Sequence, residues 1–298
     1  MRAAIDIGSN SILLTVVNPE GEVVHDEARV VGLSLGLGER GMFAPDRMKA
    51  AESVLTEYLD TARRFGLEPW QVVAVSTSGA RRAMNASTWF SRIQRQQGLK
   101  IQVISGEEEA NLTWLGAWQG LSLPPGPVLV VDLGGGSTEL VVGEAGQVHD
   151  RTSLEMGAVR LTERFLGLGT TDLGALSRMR EEIEHHLEIS GLRPGVRTVV
   201  GVGGTATTLT AMRLGLRRWD PTQVHGARLS RTDLSRFVDD LISASPAARR
   251  AMAPTDPERA DFLLAGAAIL ERVLMRAGRS SMFISNRGLR FGLLTPAG

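Results

Sequence analysis

The chain has no cysteine, a single tyrosine, and aromatic residues at only 5% of its 298 positions. Without cysteine there are no disulfides, thiolate metal centres or cysteine nucleophiles, so a catalytic centre has to be built from oxygen and nitrogen groups. Lysine is nearly missing too: Lys49 and Lys100 stand alone, and arginine supplies the remaining basic charge. The 33 basic and 33 acidic residues cancel. This removes any global electrostatic footprint for nucleic acid, and a polyanion would have to be met by local groups. No apolar run reaches the length of a membrane span, and no basic-then-apolar leader opens the chain. No membrane partner is expected, and the cytoplasm is the expected compartment. The remaining composition, 43% hydrophobic and 22% charged, is that of a globular protein long enough for two ordinary α/β domains.

Glycine, by contrast, is plentiful at 34 residues, and its clusters fall where short apolar runs end. Val128 to Val131 is such a run, which fits a strand buried on both faces and puts Asp132 at its end. Gly134, Gly135 and Gly136 follow and allow backbone N–H groups to approach a ligand closely. Ser137 and Thr138 add hydroxyls, and Glu139 opens the next apolar run. The combination suits a phosphate, with Asp132 and Glu139 as hard oxygen ligands for a metal at the hairpin mouth. Ile5 to Val16, IDIGSNSILLTV, repeats Val131 to Val142, VDLGGGSTELVV, without gaps, keeping the aspartate, one glycine and one serine. A repeat at domain length implies two similar lobes, most simply facing each other across a cleft. Leu121 to Pro127, LSLPPGP, reads as the linker. The expected lobes are therefore 1–123 and 124–298, with the last residues as candidates to pack back on the first.

Between these hairpins, Asp46 to Phe65 shows helical spacing, and Ser76 to Asn85, STSGARRAMN, reads as a loop-to-helix junction. Arg81 and Arg82 are placed near a helix N-terminus there, where a cation conflicts with the dipole and an anion would offset it. Ser105 with Glu108 forms a capping box; on spacing alone, acids in such a first turn, Glu109 included, most often just complement the dipole. In the second half, Ser153 to Gly167, Asp172 to Ile189 and Pro257 to Ala277 are expected to be helices. The adjacent His185 and His186 point to different helix faces, which favours a solvated surface over a metal site. Thr198 to Val202 feeds Gly203, Gly204 and Thr205, a third glycine junction suited to a phosphate or nucleotide.

Taken together, IDIGSNS, ARRAMN at 80–85, ISGEEEA at 104–110, VDLGGGSTEL at 131–140, GAVRLTERF at 157–165, GVGGTATTL at 201–209, His225-Gly226 and ERADFLLAGAAIL at 258–270 resemble the exopolyphosphatase and guanosine pentaphosphate phosphatase (Ppx/GppA) family. The resemblance implies the α/β fold of the actin/sugar kinase/heat-shock ATPase (ASKHA) superfamily: two ribonuclease H-like lobes with an interdomain active-site cleft. It further implies that Glu109 activates the attacking water and that Asp132 and Glu139 are the other essential acids, associated with Mg²⁺. Ser9, Asn10, Ser11, Arg81 and the second glycine loop would hold phosphate oxygens.

The chain departs from the family pattern in three ways. The segment that often reads RLGEG is Gly32-Leu33-Ser34-Leu35-Gly36, Phe291 stands where an acid is common, although Arg290 is kept, and the short two-domain form, without the helical C-terminal domain of the longer members, is expected. The expected activity is release of terminal orthophosphate from inorganic polyphosphate, with a homodimer as a further expectation. Guanosine pentaphosphate is the rival substrate. A small-molecule kinase and a non-catalytic polyphosphate or alarmone sensor are the more distant readings.

Overall fold

The structure, a computed structural model, describes residues 1–169 and 171–295. The chain divides into two compact units, Met1–Gly116 together with the residues from Leu289 onward, and Ala117–Gly288. The LSLPPGP run lies inside the second unit. Among the described residues no helix is long and apolar enough to cross a membrane.

The first unit is built on a five-stranded sheet in the order β3-β2-β1-β4-β5, where β1 is Arg2–Ile7, β2 Ser11–Val17, β3 Val23–Val30, β4 Val72–Ser76 and β5 Ile101–Val103. β1, β2 and β3 form an antiparallel meander, and β4 and β5 join β1 in parallel. One sheet face is covered by helix α1, Pro45–Arg64. Its buried residues Ala51, Leu55, Tyr58, Leu59 and Ala62 recur at helical spacing and pack with Ile5, Ile7, Ile12 and Leu14. Pro45 starts α1 at a position where its missing N–H costs nothing. Two further helices follow, α2 at Ser78–Arg82 and α3 at Ala86–Gln97; the latter adds Trp89, Phe90 and Ile93 to the same core. α4, Gly106–Ala117, begins beyond β5.

The second unit repeats the plan. Its strands are β6 Val128–Leu133, β7 Thr138–Glu144, β8 Gln147–Leu154, β9 Thr198–Val202, β10 Arg228–Ser230 and β11 Ser281–Ile284, in the order β10-β11-β9-β6-β7-β8. Again a meander, β6-β7-β8, is extended in parallel, here by β9 and β11, with β10 added antiparallel at the edge. The shared strand order is the structural form of the sequence repeat, and each unit has the ribonuclease H-like α/β topology.

The span Ser153 to Gly167, expected to be one helix, is three things. β8 runs to Leu154, α5 occupies only Ala158–Leu161, and Thr162–Leu166 forms a π turn. The helix begins only at Ala158, and its first-turn N–H groups, 158–160, which have no intrahelical acceptor, bond the carbonyls of the glycine loop described below. α6 is Leu173–Ile189, capped by Asp172, whose carboxylate accepts from Ala175 N–H at 2.6 Å. α7 is Gly204–Arg213 and α8 Arg231–Ser243. The expected helix from Pro257 begins as a 3₁₀ turn and becomes α9 at Leu263–Arg276, whose largely buried length fills the core against α6 and α8.

Candidate active site

In the first unit, β1 and β2 are paired down to Ile7 and Ile12, leaving Gly8, Ser9, Asn10 and Ser11 as the turn. Gly8 N–H closes it on the Ser11 carbonyl at 3.0 Å. The carbonyl of Asn10 accepts from Val31 and Gly32 N–H, both at 2.9 Å, and that of Ser9 from Ser34 N–H at 2.8 Å. In a planar trans peptide the N–H points opposite to the C=O, so the N–H groups of Asn10 and Ser11 are turned to the other side. Ser9, Asn10 and Ser11 are all buried, and neither side-chain polar atom of Asn10 meets a hydrogen-bond partner.

Arg81 and Glu109 meet in the same unit. Arg81 Nη1 donates to Glu109 Oε2 at 3.0 Å and to the Ile104 carbonyl at 2.9 Å. Glu109 is 8% exposed and lies in the first turn of α4, where Ser105 Oγ accepts from Glu108 N–H at 3.1 Å. Arg81 and Arg82 are not near a helix N-terminus. They fill the last turn of the short α2, the end at which the dipole favours cations. The dipole conflict that suggested an anion there is absent.

The second unit presents the same hairpin with a different cargo. Asp132 and Glu139 are direct cross-strand partners on β6 and β7, so their side chains leave the same sheet face. Glu139 is 1% exposed and accepts a hydrogen bond from Ser153 Oγ at 2.8 Å. Every carbonyl of the glycine run is engaged from one side. Gly134 O accepts from Ala158 N–H at 3.0 Å, Gly135 O from Val159 and Arg160 N–H at 3.0 and 3.1 Å, and Gly136 O from Arg160 Nε at 2.9 Å. By peptide planarity the N–H groups of Gly135, Gly136 and Ser137 then point away from α5, the arrangement of an anion-binding nest. The approach is close enough that a Cβ on Gly157 would run into the Gly135 backbone. Thr138 is fully buried and gives its hydroxyl to the Met156 carbonyl, so that hydroxyl serves the hairpin's own packing.

The third glycine junction touches this hairpin. Gly203 has φ of 95°, and a Cβ there would come within 3.2 Å of Asp132 Oδ1; one on Gly288 would lie 3.8 Å from Oδ2. Asp132 is thus flanked by two residues without side chains. Gly204 begins α7, and the guanidinium of Arg259 lies against it, held by Asp256 at 2.7 Å from Nε. Thr205 is buried at the start of this helix, where its Cγ2 packs against Gly266. Arg259 was missed because its position follows from the tertiary approach of the ERAD segment to α7. His225 sits beside Arg287, and burial followed by that cation holds its pKa below the usual histidine range. A groove of about 670 Å³ lies elsewhere in this unit, over α6. Its arginines are committed to acids, Arg180 to Glu271 at 3.1 Å and Arg272 to Glu184 at 3.2 Å.

Comparison with known proteins gives one answer. Residues 15–296 match the model of the Ppx/GppA phosphatase family. A curated relative, Exopolyphosphatase 2 of Mycobacterium tuberculosis, is 35% identical over 315 residues, covering 98% of this chain and 96% of its own. Among solved structures, the Ppx/GppA family member of Aquifex aeolicus is 34% identical with a TM-score of 0.80, covering 98% of this chain and 95% of its own. An exopolyphosphatase from Cytophaga hutchinsonii is 25% identical with a TM-score of 0.87, covering 98% and 96%. The chain therefore belongs to the Ppx/GppA phosphatase family and is a phosphoanhydride hydrolase.

Proposed function

We propose that the protein is an exopolyphosphatase that releases terminal orthophosphate from inorganic polyphosphate by magnesium-assisted attack of water. The observation that carries the reading is the second hairpin: two carboxylates in register beside a glycine loop whose carbonyls are all taken from one side. Among the described residues no three histidine, aspartate or glutamate side chains cluster closely enough to hold a metal unaided. That donor set suits Mg²⁺, which keeps most of its waters and is bound by one or two carboxylates together with substrate phosphates. Asp132 and Glu139 would hold the ion. When bound, the ion would neutralise charge developing on the transferred phosphoryl group.

The remaining roles fall to the chain's own groups. The outward N–H groups of the two hairpin loops hold phosphate oxygens, as the γ-phosphate of a nucleotide is held in other phosphoryl-transfer sites. Glu109, fixed by Arg81, orients the water and accepts its proton. Arg81 keeps further guanidinium N–H groups with which to meet an oxygen of the substrate.

Guanosine pentaphosphate is the second reading, supported by the junction where Arg259 lies against Gly204 at the start of α7, a place suited to a nucleotide phosphate. A competition assay with long polyphosphate, short polyphosphate and guanosine pentaphosphate separates the two. The expected result is the higher kcat/KM on polyphosphate, with KM rising steeply as salt increases, because a linear polyanion releases counterions when it binds several arginines. A higher kcat/KM on guanosine pentaphosphate would transfer the assignment to the alarmone.

A further inference from the structure

We propose that Ser34 is a substrate-binding residue, its hydroxyl donating to the terminal phosphoryl group held by the first hairpin loop. This rests on the phosphate-binding reading of that loop. Ser34 lies outside the loop, in the segment after β3, yet its backbone N–H is bonded to the Ser9 carbonyl at 2.8 Å. Its side chain turns toward α2. A Cβ on Gly79 would occupy the place of Ser34 Oγ and would lie 3.1 Å from Ser9 Oγ, so the two hydroxyls share the space that the glycine leaves open.

The state of these groups points to a ligand. Ser34 is 4% exposed, Asn10 4% and Ser78 1%. Ser34 Oγ, Ser78 Oγ and both polar atoms of the Asn10 side chain are buried without a hydrogen-bond partner. Buried hydroxyl and amide groups in folded proteins are paired almost without exception, because an unmade bond forfeits solvation with nothing in return. Of these, the Ser34 and Ser78 hydroxyls and Asn10 Nδ2 can donate, and Ser34 Oγ lies with Ser9 Oγ beside Gly79, so the Ser34 hydroxyl is a donor held ready for an acceptor that enters from outside. A phosphoryl group offers three oxygens and accepts from all of them. Neutral donors also fit the place: a hydroxyl adds affinity through geometry without adding a charge, so its contribution does not depend on counterion release.

The test uses the full chain with Ser34→Ala, inorganic phosphate and long polyphosphate as probes, and three readouts. KM for polyphosphate is expected to rise about tenfold with kcat within about twofold, the size of one hydrogen bond to a charged group. The rise in Tm that phosphate gives the wild type should shrink correspondingly. The Tm of the free variant should be unchanged or higher, since the substitution removes an orphan hydroxyl instead of a bonded one. Wild-type KM and an intact phosphate shift in the variant would overturn the assignment while leaving the proposed function standing. So would a lower free Tm with the phosphate shift retained, which is the mark of a structural role. A wild type that neither cleaves a phosphoanhydride nor gains stability from phosphate would sink the proposed function, and Ser34 with it.

Discussion

The two hairpins carry the same turn on the same ladder, and among their differences one cross-strand pair changes the charge at the mouth. Asp6 faces Leu13 in the first, and Asp132 faces Glu139 in the second. Backbone geometry was thus kept twice, since in both units neighbouring donors turn the loop carbonyls to one side and leave N–H groups on the other. The second carboxylate was kept once. An anion needs only the loop; a hard cation needs carboxylate oxygens, and the pair offers two. On the proposed reading, phosphate binding would fall to both units and metal binding to the second alone. The acid of the first unit comes from another place, Glu109 at the start of α4.

The sharpest way to break this division is Glu109→Gln. The amide is nearly isosteric and can still accept from Arg81, but it cannot take a proton from water. We expect the fold to persist and kcat to fall about 10²–10⁴-fold, the range of a lost general base. Near wild-type turnover would remove Glu109 from the chemistry and make Glu108 the next candidate.

Glu139→Leu comes next, because it rewrites the second hairpin with the residue pair of the first. Leucine is already accommodated at the matching position of the same ladder, so the sheet should form. The half-saturating magnesium concentration should rise by at least about tenfold, as expected on losing a ligand when loss of a mere supporting partner costs about 10–100-fold. A magnesium titration that leaves half-saturation unchanged would show that the carboxylate only shapes the loop.

Much of this was legible in the sequence, and what was not has a common cause. The hairpins could be read because Asp-x-Gly-x-x-Ser between apolar runs is a local pattern, and the strand at Thr198–Val202 because it is continuous and buried. The partners of the loop carbonyls could not. Val31, Gly32 and Ser34 in one unit and Ala158 to Arg160 in the other act through backbone N–H groups, which any residue but proline provides. The same blindness turned residues 153–167 into a single helix on paper, where β8 runs on to Leu154 and the helix begins only at Ala158. The C-terminal helix Leu289–Leu294 was hidden for another reason. It is short, and it is fixed by Arg290, whose Nη1 donates to Thr15 Oγ1 at 2.8 Å and also to Asp26 on β3.

Arg81→Lys is a milder probe of the first unit. One guanidinium nitrogen is shared between the Ile104 carbonyl and Glu109, while the rest of the fork remains for a phosphate. Lysine keeps the charge but concentrates it on one nitrogen, so it cannot serve both ends of that arrangement. We expect kcat/KM to fall about tenfold, corresponding to about 1.4 kcal/mol. If only KM rises, Arg81 acts on substrate alone. An equal fall in kcat would show that it also places Glu109.

The smallest expected effect tests the supports of the two loops, which are alike in direction but not in kind. In the first unit Val31, Gly32 and Ser34 hold the carbonyls entirely through main-chain N–H groups, so no truncation of a side chain can release them. In the second unit the Gly136 carbonyl depends on a side chain, Arg160 Nε, while the other two are held by main chain. Arg160→Ala therefore frees one carbonyl of three and leaves the helix start in place. The guanidinium is only partly exposed and also pairs with the more exposed Glu155, a contact that contributes little. The loss should be close to that of one neutral acceptor, about 0.5–1.5 kcal/mol in unfolding free energy. Activity should fall only a few-fold, mainly through KM, because a loosened Gly136 peptide misplaces the Ser137 N–H proposed to face the phosphate. Denaturant midpoints and polyphosphate kinetics measured on the same preparations decide it. Unchanged KM with reduced stability would mean that Arg160 only secures the fold, and the outward N–H groups of the glycine run would then need another explanation than phosphate binding.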